Sequence, residues 1–340
     1  MKVRALLLDR DLSLRVGQRE LAEPAPGELL VEVDWAGVCG SDLHVLRTGD
    51  WVTGWPATLG HEVTGRVAAS PGGELAPGTR VVVDSRVPCE GCGGCATGPH
   101  LCENLAWFGE ACPGGFASHV LVPARRVAAC PADLEAAIAV LAEPLAVAMH
   151  AVSRAGPAPP ERVTIAGYGP VGALVHLEIT RRWPETAVTV TEPVPARRQL
   201  AAALGAELAG TELAGAELAG AVAASPGNRP RLVVDAAGYP GSLRDSIAGC
   251  ARGGTVLVVA LGHQPEPLLP ADLAARELTL AGSNGFAGEL SQAVAALAAD
   301  PDRYRPLVTE AIVLDEAPRR LRELLTCPAA GKVVIRPLCD

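Results

Sequence analysis

The chain has 340 residues, of which 49% are hydrophobic and 20% charged, and its formal net charge is −9. A chain this apolar excludes intrinsic disorder, and its length predicts two domains or one large one. The acidic balance argues against a nucleic-acid partner. No apolar run reaches about 18 residues, and the N-terminus lacks the apolar core of a secretory signal, so we expect a cytoplasmic protein without a membrane partner.

Short runs, many of them rich in valine and bounded by Pro, Gly and Asp, predict β-strands in the first third of the chain. They cover residues 3–8, 28–35, 62–69 and 80–84. Beyond Pro131 the composition shifts to alanine and leucine, which predicts a helical segment over residues 133–153. The Pro- and Gly-rich stretch 155–160 is a candidate joint before the next unit.

From Arg162 onward, strand and helix patterns alternate. We predict strands at 162–166, 187–191, 231–236, 254–260 and 277–281, and helices at 171–182 and 195–204, which is the pattern of a parallel sheet in an α/β fold. Within residues 205–221 the sequence Glu-Leu-Ala-Gly occurs three times. This segment is too short for a solenoid, and we interpret it as a drifted helix and loop.

The C-terminal tail predicts a helix from about Ser291, a strand at 311–314, a helix at 317–325 and a strand at 331–336. The last strand has the pattern of one that returns to the first domain. We therefore expect a discontinuous β-rich domain, residues 1–150 and 283–340, around a doubly wound α/β domain, residues 151–282.

The segment Gly167-Tyr168-Gly169-Pro170-Val171-Gly172 matches G-x-G-x-x-G between a predicted strand and a predicted helix. Such glycines permit a tight turn and close approach of a pyrophosphate, which the helix N-terminus attracts. Glu192 follows about 20 residues later, where a carboxylate accepts hydrogen bonds from ribose hydroxyls and repels a 2′-phosphate. This favours NAD over NADP, although Arg197 and Arg198 add positive charge nearby.

Ten cysteines in a cytoplasmic chain argue against a disulfide framework. The cluster Cys89, Cys92, Cys95 and Cys102 supplies four thiolates within a short loop, and four sulfur ligands are typical of a closed, structural zinc site.

A second set of metal-ligating residues predicts a catalytic zinc site. Cys39 and His61 precede the dinucleotide segment, and Glu62 or Glu143 adds a carboxylate. A catalytic zinc needs about three protein ligands and one open position. His61 and Glu62 are neighbours on a predicted strand, so both reach one ion only if the backbone there is irregular. Pro144 favours an extended backbone at Glu143.

Taken together, these motifs resemble those of the zinc-dependent medium-chain alcohol dehydrogenases, especially the polyol (sorbitol-type) and threonine dehydrogenase branches. The resemblance covers essentially the whole chain. The motifs on which the resemblance rests are Gly37 to His44, Gly60-His61-Glu62, the cysteine cluster, Gly114-Gly115-Phe116-Ala117, Glu143-Pro144-Leu145, the glycine motif and Gly331-Lys332-Val333-Val334-Ile335. Six residues separate Cys95 from Cys102, one fewer than is usual, and we expect Gly98-Pro99 to absorb the difference.

The resemblance implies a Rossmann domain and a GroES-like catalytic domain that together use NAD and two zinc ions. Cys39, His61 and Glu62 match the catalytic-zinc ligands, and Glu143 matches a carboxylate that binds zinc directly or acts indirectly. Ser41 and His44 match proton-relay positions. The matches to NAD contacts are Val171, Glu192, Arg197, Leu261, Gly262, His263, Ser283 and Asn284.

We therefore expect an NAD-dependent enzyme that oxidises the secondary hydroxyl of a polyol, sugar, cyclitol or amino sugar. Trp51, Trp55 and Trp107-Phe108 fall in segments that border the zinc cleft in this family, where indoles can stack on a sugar ring or simply pack. The resemblance also implies a homodimer or homotetramer. Alternatives are a threonine-type or simple secondary-alcohol dehydrogenase, a zinc-free quinone reductase relative, and a non-enzymatic NAD sensor with a zinc-ribbon module.

Overall fold

The computed structural model describes residues 1–209 and 229–338 and divides them into two compact units. One unit contains Met1–Glu143 and Ala287–Asp340, and the other contains Pro144–Phe286. The expected boundaries, after residue 150 and before residue 283, lie a few residues from these junctions. Most of the Glu-Leu-Ala-Gly repeat lies outside the described residues.

The first unit is built on a mostly antiparallel sheet that the C-terminal strand completes. In the described part of the chain its order is Val308–Val313, Lys332–Arg336, Glu28–Gly37, Glu62–Ala69, Arg80–Val83 and Val127–Ala129, with His119–Pro123 also paired to Glu28–Gly37. Val334 lies opposite Gly37 and Ile335 opposite Ala36. This pairing brings the two ends of the chain into one β-rich domain, as the sequence predicts.

Valine alternation explains the core of this sheet, because successive side chains on a strand point to opposite faces. Val31, Val33, Val63 and Val83 are at most 2% exposed and pack with Phe116. The unit also contains the paired strands Lys2–Leu8 with Leu14–Glu20 and Arg86–Val87 with Ala106–Trp107. Its helices are Gly40–Thr48, Gly93–Thr97, Ala136–Ala139, Leu290–Ala299, Pro301–Tyr304 and Ala317–Leu324, with short 3₁₀ turns at Pro99–Leu101, Ala124–Arg126 and Arg305–Leu307.

The second unit contains a parallel sheet, which confirms the predicted doubly wound fold. Its order over the described residues is Glu207–Leu208, Ala187–Thr191, Arg162–Ala166, Leu232–Asp235, Thr255–Val258 and Thr279–Gly282. Among residues 155–209 and 229–286 the helices are Pro170–Arg182, Pro195–Ala203, Ser242–Gly249 and Pro270–Ala274. The strand order reverses beside Arg162–Ala166, and ligands of such folds bind at the carboxyl ends of the strands at this switch point.

The helix Ala142–Arg154 contains the junction between the two units. Together with Ala136–Ala139 it forms the described stretch whose length and composition would suffice to cross a membrane, although Glu143 interrupts its apolar run. Of its apolar window, 78% is buried inside the protein, as in a core helix. The predicted helical segment 133–153 starts three residues later than expected, at Ala136.

Candidate active site

Three predicted metal ligands converge in the first unit. Cys39 precedes the helix Gly40–Thr48, His61 precedes the strand Glu62–Ala69, and Glu62 is the first residue of that strand. One ligand atom from each of Cys39, His61 and Glu62 lies within 4.8 Å of the others. Sulfur, nitrogen and oxygen ligands at this separation form a set that Zn²⁺ accepts.

The backbone at Gly60 explains how His61 and Glu62 both reach this point. Gly60 has a φ of +91°, and a Cβ there would lie 2.5 Å from the ring of Phe116. The strand starts only at Glu62, so His61 escapes the alternation that would direct the two side chains to opposite faces. The irregular backbone that shared coordination requires is therefore present.

Asp42, which was not among the predicted site residues, joins the two segments that carry these ligands. Its carboxylate accepts hydrogen bonds from the backbone N–H of Cys39 at 2.8 Å and of Gly60 at 3.1 Å. Its Oδ1 lies 3.9 Å from Nδ1 of His61, and the side chain is buried. A single buried carboxylate thus fixes the spacing between Cys39 and His61.

Glu62 has an internal counter-ion. Nζ of Lys332 lies 2.6 Å from its Oε1 and 3.1 Å from the carbonyl oxygen of Val38, to which it also donates. Within the described residues, Oε2 of Glu62 is buried and has no hydrogen-bond partner. An orphaned buried carboxylate oxygen beside a thiol and an imidazole is an observation that fits a metal ion.

The electrostatic environment of His61 also fits a bound metal ion. Burial lowers the pKa of His61, but the charges of Cys39, Asp42 and Glu143 raise it more, so the net shift is well above the ordinary value. The surroundings of this imidazole therefore attract positive charge, which a divalent cation supplies.

Glu143 lies near this set but is not among the three residues that converge. Its carboxylate accepts a hydrogen bond from Oγ of Ser85 at 2.7 Å, and the side chain is buried. Burial raises the pKa of Glu143 to about 7, against an opposing effect of His61. The expectation of an extended backbone here was wrong: Glu143 is helical, because Pro144 falls in the first turn of Ala142–Arg154, where proline is tolerated.

The predicted relay residues share one helix. Ser41 and His44 lie three residues apart on Gly40–Thr48 and so on one face. Oγ of Ser41 is buried and has no hydrogen-bond partner among the described residues. His44 is 15% exposed, and its Nε2 lies 3.1 Å from a carboxylate oxygen of Asp50.

The aromatic residues of this region divide into exposed and packed groups. Trp51 is 41% exposed, and its ring centroid lies 4.5 Å from that of His44. Trp55 packs against the hydrophobic core and Phe108 is 4% exposed within it, while Trp107 is half-buried in a short strand. Of these four aromatic residues, Trp51 has the exposed indole.

The loop at residues 107–116 wraps around the His61 segment and brings a further carboxylate. Gly115 N–H and Phe116 N–H donate to the carbonyl oxygens of Gly60 and Leu59 at 2.7 and 3.0 Å. Glu110 in this loop is half-buried and responds to the charges of His61 and Asp42. Burial raises its pKa to about 7. Glu110 was not predicted as a site residue, because only the fold brings it beside His61.

The four clustered cysteines form a second potential metal site. Their sulfur–sulfur separations include 3.5, 3.9, 3.5 and 3.9 Å around the cluster, and tetrahedral Zn²⁺ with Zn–S bonds of about 2.3 Å requires about 3.8 Å. Backbone N–H groups of Cys89, Glu103 and Asn104 donate to these sulfurs. Hydrogen bonding from Gly91 N–H lowers the pKa of Cys89 to about 6, which favours the thiolate that binds zinc.

Gly94 permits the shortened spacing before Cys102. A Cβ at this position would lie 1.8 Å from the carbonyl oxygen of Leu101, so only glycine allows the two backbone segments to approach so closely. The expected adjustment at Gly98-Pro99 contributes a 3₁₀ turn, Pro99–Leu101.

In the second unit the glycine motif has the predicted strand–turn–helix context. Gly167 has a φ of +87° directly after Arg162–Ala166, and Gly169 is the N-cap residue of Pro170–Arg182. A Cβ on Gly172 would lie 2.1 Å from the carbonyl oxygen of Gly167, so glycine permits tight packing of helix on turn. Val171 occupies the first turn, where unpaired N–H groups can meet a phosphate.

Glu192 lies beside the glycine turn at the end of Ala187–Thr191. Its carboxylate accepts from the N–H of Tyr168 at 2.7 Å and of Val194 at 2.9 Å, and the side chain is buried. Arg197 lies 3.9 Å from the same carboxylate. Gly167, Gly169, Glu192 and Arg197 line a cavity of about 260 Å³ with Ala236, Ala237 and Tyr239.

The remaining predicted cofactor residues follow neighbouring strands. Leu261, Gly262 and His263 lie in an exposed loop after Thr255–Val258, and Ser283 and Asn284 follow Thr279–Gly282. Since all strands are parallel, these residues share the sheet edge that carries the glycine turn. Asp235, at the same edge, was not predicted; it accepts from Ala237 N–H and from Ser242 Oγ and so orders the cavity wall.

Comparison with known proteins places these two units in a family context. Residues 25–132 match the alcohol dehydrogenase GroES-like domain, and residues 181–299 match the zinc-binding dehydrogenase domain. Sorbitol dehydrogenase of Gallus gallus is 31% identical over 345 residues, covering 99% of this chain and 96% of that protein.

Two solved structures share the whole architecture. An alcohol dehydrogenase, RspB, from Escherichia coli CFT073 in complex with NADH has a TM-score of 0.89 and 25% identity, and 99% of each chain is covered. A protein described as a zinc-binding dehydrogenase from Sinorhizobium meliloti 1021, bound to NADP, has a TM-score of 0.88 and 29% identity, with 99% of this chain and 100% of that chain covered.

Proposed function

This chain belongs to the zinc-dependent alcohol dehydrogenase family, and from that premise we propose that it oxidises a secondary alcohol of a polyhydroxylated small molecule to the ketone, with NAD as acceptor. The observation that carries the proposal is the convergence of Cys39, His61 and Glu62 within 4.8 Å. A thiolate, an imidazole and a carboxylate leave a fourth position open for an alcohol oxygen. The similarity to a sorbitol dehydrogenase supports the polyol class.

Oxidation of a secondary alcohol removes a proton from oxygen and a hydride from carbon. Zinc, when bound, polarises the alcohol oxygen, and NAD accepts the hydride. Cys39, His61 and Glu62 would hold the metal, and the four-cysteine cluster would hold a second, structural zinc. Glu143 would influence the metal site without binding the metal, because its carboxylate already accepts a hydrogen bond from Ser85.

Ser41 and His44 supply the route for the proton. The unpartnered Oγ of Ser41 accepts the proton of the substrate hydroxyl and passes on its own, since a hydroxyl both donates and accepts. His44 lies three residues further along the same helix, with its Nε2 3.1 Å from a carboxylate oxygen of Asp50, and an imidazole can both take up and release a proton. Together they would conduct the proton from a buried hydroxyl to water.

For the cofactor we propose NAD. Glu192 presents a buried carboxylate in the wall of the cavity beside the glycine turn, where the 2′-phosphate of NADP would meet negative charge. The ribose hydroxyls of NAD can donate to the same carboxylate, because each of its oxygens has more than one acceptor position. Leu261 to His263, Ser283 and Asn284 would contact the rest of the cofactor.

The test is a panel of polyols, cyclitols, amino sugars and threonine, each assayed with NAD by the appearance of NADH absorbance. We expect secondary alcohols with neighbouring polar groups to be oxidised, and Cys39→Ser to abolish turnover and remove one zinc. A non-enzymatic NAD sensor would bind NADH without producing it from any member of the panel. A threonine-type enzyme would prefer threonine over every polyol.

We further propose a cytoplasmic homodimer or homotetramer. The resemblance to family members that associate supports this, and light scattering on the purified protein would measure the mass. A monomer at micromolar concentration would contradict it.

A further inference from the structure

Glu110 is a carboxylate in the zinc-site region that the proposed chemistry does not use. No hydrogen bond or ion pair to its side chain is found among the described residues, whereas Glu62 and Glu143 both have one. It is half-buried, so it has lost part of its hydration without gaining a partner. Such a group is suited to bind a ligand.

The loop that carries Glu110 is held in a fixed position against the metal-ligand segment. A Cβ on Gly109 would lie 3.0 Å from the backbone nitrogen of Gly60, so the residue before Glu110 is in contact with the residue before His61. On its other side, Thr53 N–H donates to the carbonyl oxygen of Glu110 at 3.2 Å. Glu110 therefore lies between the His61 segment and the segment that carries Trp51.

The charges around His61, beside which Glu110 lies, are predominantly negative. Cys39, Asp42, Glu62, Glu143 and Glu110 are acidic groups, and Lys332 is the basic side chain paired among them. With a divalent zinc ion bound, His61 neutral and all five acidic groups ionised, their formal charges sum to about −2. A cationic group on the substrate would reduce this excess, whereas a neutral hydroxyl would not.

We propose that Glu110 is a specificity-determining residue that binds an ammonium group next to the reacting hydroxyl, so that the preferred substrate is a vicinal amino alcohol, such as an amino sugar or aminocyclitol. This inference rests on the proposed function and narrows its substrate class. Glu110 takes no part in proton or hydride transfer; it orients the substrate through a charge-assisted hydrogen bond.

A matched pair of substrates tests the inference: the vicinal aminobutanol and the vicinal butanediol, which differ by one ammonium for one hydroxyl. We expect the wild-type protein to show a kcat/KM about tenfold or more higher for the aminobutanol. Glu110→Gln should bring the two values together by raising KM for the aminobutanol, and Glu110→Asp should keep part of the preference. Glu23→Gln, which alters an exposed carboxylate at the N-terminus, should change neither value.

Ligand-induced stabilisation provides a readout that does not depend on turnover. The aminobutanol should raise the Tm of the zinc-replete wild-type protein more than the butanediol does, and this difference should disappear in Glu110→Gln. Zinc content and NADH binding of the variant verify that it is folded. If neither compound is oxidised but the Glu110-dependent Tm difference is present, the proposed function fails and this inference stands. Equal kcat/KM values and equal Tm shifts in the wild-type protein would overturn the inference, as would a preference that survives in Glu110→Gln.

Discussion

The Lys332 ammonium lies 2.6 Å from the Glu62 carboxylate, and each side chain is only 1% exposed. The chain contains one other lysine, Lys2, whose side chain is 65% exposed. The C-terminal strand therefore supplies a buried counter-ion to a proposed zinc ligand on Glu62–Ala69, and it does so from a position far away in the sequence.

Removal of this counter-ion should be costly. Lys332→Met leaves Oε1 of the buried Glu62 carboxylate without its hydrogen-bond donor, and we expect the free energy of unfolding to fall by about 1–3 kcal/mol, measured by urea denaturation of the zinc-replete protein. Lys2→Met is the matched control, and because surface ion pairs contribute at most about 1 kcal/mol it should change little. Equal effects of the two substitutions would contradict the role given to Lys332.

The metal content should be two zinc ions per chain by elemental analysis. Cys95→Ser should lose one of them and lower the Tm, because a closed thiolate site contributes folding free energy. Cys327→Ser changes an exposed cysteine outside the cluster and should retain both ions. A single zinc in the wild-type protein would eliminate one of the two sites.

The long elements and the four-cysteine cluster were predictable because their signals are local, whereas the assignment of Cys39, His61 and Glu62 depended on the resemblance to a family. The valine-rich runs identified the central strands, and the cysteine cluster is contained in one short loop. The partners of these groups were not predictable: Asp42, Ser85 and Lys332 act on segments that only the tertiary fold brings to them. A carboxylate or lysine in a linear sequence gives no sign of the group that it will neutralise.

Some errors came from local rules that the fold overrides. The preference of a residue before proline for extended backbone predicted the wrong conformation at Glu143, because a helix starts there and tolerates proline in its first turn. The helix Gly40–Thr48 was missed since it is short and has no clear apolar period. Its N-terminus is instead stabilised by Asp42, which accepts from Cys39 N–H.

Cofactor choice should depend on Glu192. Glu192→Ala removes the charge that opposes a 2′-phosphate, so the ratio of kcat/KM for NADP to that for NAD should rise about tenfold or more. The structure adds a second effect: the N–H groups of Tyr168 and Val194 lose their acceptor, so KM for NAD should rise as well. Glu207→Ala, at an exposed strand residue of the same unit, is the control. A wild-type protein with a lower KM for NADP than for NAD would refute the assignment.

Amide substitutions should distinguish the two glutamates near the predicted catalytic metal, since we expect Glu62 to bind the metal and Glu143 not to bind it. Glu62 converges with Cys39 and His61 and has an orphaned oxygen, whereas Glu143 is held by the Ser85 hydroxyl at 2.7 Å. Replacement of a carboxylate by its amide preserves shape but removes the charge that a zinc ion prefers. Glu62→Gln should therefore lower zinc content at the catalytic site.

Glu143→Gln should behave differently, because a group that acts beyond the ligands tunes the bound substrate without holding the metal. We expect this variant to retain both zinc ions and to show a lower kcat, and Ser85→Ala to produce a smaller decrease of the same kind, since it frees the Glu143 carboxylate without removing it. Elemental analysis measures the zinc content of each variant, and steady-state kinetics on the same preparations measures its kcat. Zinc lost from Glu143→Gln and retained in Glu62→Gln would reverse the two roles, and full activity with full zinc in both variants would show that neither carboxylate has the role assigned to it.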